Sequence, residues 1–148
     1  MLEGNATGDI CVGMFEVKVK LANLAAPSQA EKASLLVDTG VTLSWIPRGV
    51  LPKLGAKPIS RVAFSLADGR EIERELTGIL LAIDGKKAAV AAAFGEPGEG
   101  NLGATAPESL GFLVDPSSQK LLPRKLLSLR TKVLETHGVS EGEFGLRR

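Results

Sequence analysis

Between Met14 and Leu21 the chain reads Met-Phe-Glu-Val-Lys-Val-Lys-Leu, an alternation of apolar and charged residues that suits an extended strand with one dry face and one wet face. The period recurs at Val62-Ala63-Phe64-Ser65-Leu66, reaches the turn pair Asp68-Gly69 and returns through Ile72 to Leu76, which predicts a β-hairpin. A second hairpin is predicted from Ile79 to Ile83, the pair Asp84-Gly85, and Ala88 to Phe94, although its alanine run is a weak strand former. Phe112-Leu113-Val114, a turn from Asp115 to Ser118 and Leu121-Leu122 predict a last one. Many short strands cut by Gly, Asp and Pro predict an all-β sandwich or barrel.

Between these runs, Ala25 to Gln29 with Pro27 breaks the first strand, and Lys32 to Val37 reads as a more buried strand that runs into Asp38. Thr42 to Ile46 is extended before Pro47, and Val50 to Leu54 is a short helical or irregular turn. Gly95 to Gly100 is a loop. Ala104 to Leu110 supplies about two helical turns, with Thr105 as N-cap, Pro107 in the first turn and Gly111 closing it. After Pro123, Leu126, Leu127, Leu129, Val133 and Leu134 recur at helical spacing among Arg124, Lys125, Arg130 and Lys132, which predicts an amphipathic helix ended by Gly138. It would pack on its own domain or reinforce a dimer. The expected organisation is an N-terminal arm over residues 1–13, one domain over 14–123, and a helix with a frayed tail over 124–148.

Composition removes several function classes. Lysine and arginine number 18 against 17 acids, a net charge of +1, so no basic surface for nucleic acid is expected. The single Cys11 excludes an intrachain disulfide and any multi-cysteine metal site, and fits a reducing compartment. The single His137 excludes Ser-His-Asp and Cys-His catalysis within one chain. Residues 1–10 carry Glu3 and Asp9 with no basic flank before an apolar stretch, so no signal peptide is read and the expected location is cytoplasmic. Asn5-Ala6-Thr7 is a glycosylation triplet of a kind that arises by chance. Gly98-Glu99-Gly100-Asn101-Leu102-Gly103 has dinucleotide-loop spacing, but Glu96 and Glu99 would meet a pyrophosphate with the wrong sign and no βαβ unit surrounds it.

The chemistry concentrates at Asp38-Thr39-Gly40, where the apolar run Ala33-Ser34-Leu35-Leu36-Val37 delivers a carboxylate. An acid on a strand that packs inward is costly unless its charge is shared, paired or hydrogen-bonded. The triplet occurs once, so a partner carboxylate of the same kind would come from a second chain. Asp84 and Asp115 each begin a turn and are followed by neither Thr-Gly nor Ser-Gly. Trp45 reads first as a core residue.

Three segments resemble the retropepsin-like aspartic proteases, the single-domain relatives of pepsin. They are Leu35 to Pro47, with Trp45 and Pro47 placed after the aspartate; the hairpin around Asp68-Gly69, at the position of the family's flap; and Asn101-Leu102-Gly103-Ala104-Thr105 with Glu108-Ser109-Leu110-Gly111. Asn101 stands where such proteins have an apolar residue. The resemblance spans roughly residues 15–123 and implies a closed, barrel-like all-β fold with one short helix after the flap. It implies an endopeptidase that acts as a homodimer on an extended peptide or protein substrate, with no metal, no organic cofactor, no nucleic acid and no membrane. Asp38, Thr39 and Gly40 would form the catalytic loop, with Thr39 bonding across the dyad. Ala67, Asp68 and Gly69 would cover the substrate, and Val41, Thr42, Leu102 and Gly103 would support the loop. Pepsin-like members carry a hydroxyl residue directly after the glycine; Val41 has none, which implies a less acidic working range than pepsin's. The competing expectation is a dimeric peptide-binding module of the same fold that does not cleave.

Overall fold

The computed structural model describes residues 14–126, 128 and 135–144. Its strands are β1 (Phe15–Ala22), β2 (Ala30–Val37), β3 (Ser44–Pro47), β4 (Ser60–Ser65), β5 (Glu71–Ile83), β6 (Lys86–Gly95), β7 (Asn101–Leu102), β8 (Phe112–Asp115) and β9 (Lys120–Pro123). One helix, α1 (Thr105–Leu110), follows β7, and a 3₁₀ turn spans Leu51–Leu54. The class is all-β, as the alternating runs predict.

The main sheet has 7 strands in the order β1-β2-β7-β3-β6-β5-β4, and β1 also pairs with β5. The pairings therefore close β1, β2, β7, β3, β6 and β5 into a ring and leave β4 as an added strand on β5. Along β1 the alternation works as read: Glu16, Lys18 and Lys20 are exposed while Val19 and Leu21 are buried. β1 and β2 pair antiparallel from Phe15↔Val37 to Ala22↔Ala30. Their connection is held by Asn23, whose Oδ1 accepts from Ala25 N (2.7 Å) and Ala26 N (3.0 Å) while its Nδ2 donates to Leu54 O (2.7 Å).

The two middle hairpins differ from the expected pair of separate units, because their inner limbs are one continuous strand. β5 runs 13 residues straight through Thr77 and Gly78, pairing with β4 over Glu71–Leu76 and with β6 over Leu76–Ile83. Thr77 is fixed by donating its hydroxyl to Lys57 O at 2.9 Å. The β5–β6 turn has positive φ at both Asp84 (50°) and Gly85 (80°), the twist-matched geometry that Asp-Gly favours. The alanines of β6 become strand despite weak propensity because β5 pairs along all of them and β3 takes the other edge at Ala92 and Ala93, which are fully buried.

Inside the ring Val19, Leu21, Leu35, Val37, Ile46, Ile79, Leu81 and Leu102 form one cluster with Leu51 and Leu54 of the 3₁₀ turn and with Ala106 and Leu110 of α1. α1 packs on β6 and β8. Its cap differs from expectation: Ala104 is the N-cap position, and the Thr105 hydroxyl donates to Thr42 O at 3.0 Å rather than capping the helix. Gly111 does close it, at φ 81°. β8 and β9 form a separate two-stranded sheet whose turn is clasped by Asp115.

Beyond Pro123, Arg124 N donates to Gly111 O at 2.7 Å. Leu127, Leu129, Val133 and Leu134, on which the amphipathic helix rests, lie outside the described residues, as do residues 1–13; the flanking 124–126 and 135–140 are not helical. Among the described residues no helix is long and apolar enough to cross a membrane.

Leu81 is 1% exposed and Ile59 76%. Leu81→Ala should lower unfolding free energy by about 2–5 kcal/mol, through lost burial and a cavity, whereas Ile59→Ala should shift it by no more than about 0.5 kcal/mol. Urea titration of both variants checks the assignment of the core.

Candidate active site

The strand β2 ends at Val37, and the next residue leaves the ring with its backbone still held. Asp38 N donates to Leu102 O at 3.0 Å, which carries the parallel β2–β7 pairing (Val37↔Leu102) one step further. The chain then turns. Gly40 N donates to the Asp38 carboxylate Oδ1 at 3.0 Å and Val41 N to Asp38 O at 3.3 Å. This is an aspartate-led turn in which the side chain replaces a backbone acceptor. Asp38 is half-buried, Thr39 and Gly40 are exposed, and the Thr39 hydroxyl has no hydrogen-bond partner among the described residues.

The far side of the loop is tied to the segment after β7. Val41 O accepts from Ala104 N at 2.7 Å, and Thr42 O accepts from both the amide (3.3 Å) and the hydroxyl (3.0 Å) of Thr105. The buried Ser44 Oγ accepts from Gly103 N at 3.0 Å, and Asn101 Oδ1 accepts from Trp45 N at 3.1 Å. β7 thus lies between β2 and β3, parallel to the first and antiparallel to the second. Such close seating requires Gly103: a Cβ there would stand 2.5 Å from the carbonyl carbon of Leu43. The glycines with dinucleotide-loop spacing have another purpose, since Gly98 turns the chain at φ 85° and Gly100 and Gly103 admit close neighbours.

The β4–β5 hairpin forms the opposite wall. A groove of about 690 Å³ lies between Gly40, Val41 and Thr42 on one side and residues 63–67 of the hairpin on the other. Ala67 lines it; Asp68 and Gly69 form the hairpin tip outside that lining. Leu102 and Gly103 are buried beneath the loop. Trp45 packs on Phe64 with ring centroids 4.9 Å apart, joining the two walls, and Arg74 lies 5.5 Å over the indole. The Trp45 Nε1 is buried with no partner among the described residues.

The tip carries its own charge pair. Asp68 accepts from Arg70 N (3.0 Å) and from Arg70 Nε (2.7 Å), and the backbone hydrogen bond first, then the guanidinium, hold its carboxyl below the ordinary value of 3.8. No group of three or more His, Cys, Asp or Glu side chains is clustered for a metal among the described residues.

Three contributors to this site were not singled out by sequence reasoning: Ser44, Phe64 and the amide role of Asn101. Asn101 alone left a trace, as a polar residue where the resembling proteins have an apolar one. Ser44 looked like one more strand residue.

No protein-family model and no curated protein matches the chain. Among solved structures it is similar to the solution structure of the simian foamy virus (mac) protease, at 14% identity over 62% of this chain and 89% of that one, with a TM-score of 0.44.

Two outcomes check this geometry. Gly103→Ala should cost about 1–3 kcal/mol or more, because backbone rather than a movable side chain receives the new methyl, and should change Trp45 emission as the loop shifts; unaltered stability and emission would contradict the seating. Because the folded-state pKa of Asp68 is depressed, its support of the tip is fully present above 3.8 and is lost as pH falls through the lower folded value. The Arg70 amide resonance should therefore titrate below 3.8, and lose that titration in Asp68→Asn.

Proposed function

We propose that this protein is an aspartic-type endopeptidase that works as a homodimer, with the two copies of Asp38 sharing one water across a two-fold axis. The supporting observation is the Asp38 loop itself: a carboxylate brought out by a buried strand, oriented by the Gly40 amide, beside a groove roofed by a hairpin. An isologous contact through that loop would place equivalent groups face to face. The exposed Thr39 hydroxyl is free to bond across such a contact.

Two carboxylates that close hold one proton between them, since both cannot ionise together. The ionised Asp38 takes a proton from the water, whose oxygen attacks the scissile carbonyl carbon, while the protonated Asp38 gives its proton to the carbonyl oxygen. A gem-diol results. In its collapse the first carboxyl passes its proton to the amide nitrogen as the C–N bond breaks, and the second recovers a proton from a hydroxyl, which restores the dyad. An extended substrate would lie in the groove under residues 63–67, where β4 offers a free strand edge.

The test is incubation of wild type and Asp38→Asn with a diverse peptide library, read by mass spectrometry, beside sedimentation of the wild type. Wild type should sediment as a dimer and cleave, and Asp38→Asn should lose roughly 10²–10⁴-fold in rate. Cleavage that survives the substitution, or a strictly monomeric active protein, would overturn the mechanism. A dimer that binds peptide without cutting would be the binding module.

A further inference from the structure

Resting on the reading of the groove as a peptide site, we infer that it selects an extended peptide carrying a bulky apolar side chain within two positions of a lysine or arginine, and that Glu99 reads the basic side chain. Both walls carry apolar side chains, Val41 and Trp45 on the side of the Asp38 loop and Phe64 and Leu66 on the hairpin, and Glu99 lines the same cavity. That pairing of an aromatic wall with one carboxylate is the chemistry of an amphipathic, cationic ligand.

The Glu99 carboxylate is held in position by its own loop. Glu99 N donates to Glu96 O at 2.9 Å, and Glu99 Oε1 accepts from Glu96 N at 2.6 Å. The loop is also closely packed, since a Cβ on Gly95 would stand 2.7 Å from Glu99 O. One oxygen is thereby engaged with the backbone, which leaves the side chain little ordering to do on binding.

Among the residues that line the cavity Glu99 is the one ionisable side chain, and the carboxylates around it are matched. Glu75 pairs with Arg48 at 2.7 Å, Glu73 with Arg61 at 3.1 Å, Asp68 with Arg70 at 2.7 Å, and Glu96 lies 3.9 Å from Arg74. Glu99 pairs with no cation among the described residues. Arg74, the nearest guanidinium to the aromatic wall, stacks on Trp45 and does not line the cavity. The groove is thus left with a net negative charge that a basic substrate side chain would neutralise and an acidic one would meet with repulsion.

The chain contains one tryptophan and no tyrosine, so Trp45 emission reports on this groove without interference. Asp38→Asn serves as the uncut background. It is titrated with three blocked hexapeptides that differ only at the centre, Leu-Lys-Phe, Leu-Gln-Phe and Leu-Glu-Phe, at low and at high salt. The lysine peptide should bind about fivefold or more tighter than the glutamate peptide at low salt, and the gap should shrink as salt screens it. Adding Glu99→Gln, which keeps an acceptor for Glu96 N, should narrow that gap about three- to fivefold, and Glu99→Lys should reverse the order. Equal affinities, a gap that Glu99→Gln leaves undiminished, or no binding by any peptide would overturn the inference. Its failure is separable from failure of the peptidase reading. Wild type that cleaves all three alike removes the charge preference and keeps the activity. A lysine preference in Trp45 emission, with no cleavage by wild type, removes the activity and keeps the assignment of Glu99.

Discussion

The backbone ties between residues 38–45 and 101–105 hold both the ring and the candidate site. β7 contributes only two residues, yet through it β2 and β3 are joined, and β3 in turn carries β6. Asp38 N on Leu102 O, Val41 O under Ala104 N and Thr42 O under Thr105 fasten the loop at both ends. A short strand with few hydrogen bonds suffices because side chains supply the rest: Ser44 and Asn101 each satisfy a backbone amide that the pairing leaves over. The Asp38 carboxylate is oriented by the same turn that closes the ring, so the geometry of the site and the stability of the fold rest on one set of contacts.

The long strand β5 is the second organising element. Its second half belongs to the ring and its first half stands out with β4 as the hairpin wall of the groove. A continuous strand transmits its direction without a hinge, so the roof over the Asp38 loop is set by the register of the ring beneath it. The Trp45–Phe64 contact then spans the gap between hairpin and loop, and the Arg74 guanidinium lies over the indole. These contacts give the groove apolar side chains from both walls and leave Glu99 as its unmatched charge.

The local signals were legible wherever the physics is local. Alternation in β1 and in β4 marked strands because side-chain direction has period two, and Asp84-Gly85 marked its turn because few residue pairs adopt positive φ twice. Gly111 marked the helix end for the same reason. Other readings failed where the deciding partner is distant in sequence. The runs ending at Leu76 and starting at Ile79 looked like limbs of two separate hairpins, but β6 pairs across Thr77 and Gly78 and keeps β5 whole. Thr105 looked like a helix cap, but the carbonyl of Thr42 takes its hydroxyl. Glu99 and Gly103 looked like parts of a chance phosphate-loop pattern, while their roles depend on a groove wall and on Leu43.

What the sequence determined by itself is the class of the fold, the hairpins with their turns, and the one acid placed at the end of a buried strand. Each follows from residues adjacent in the chain, whose periodicity and φ preferences are fixed by covalent geometry and sterics. Only the tertiary structure decided that β7 lies between β2 and β3, that Asn101 and Ser44 satisfy the amides there, and that residues 63–67 and Glu99 face the Asp38 loop across one groove. Those contacts join residues tens of positions apart, where pairing depends on which strands share a core and no local pattern specifies the partner.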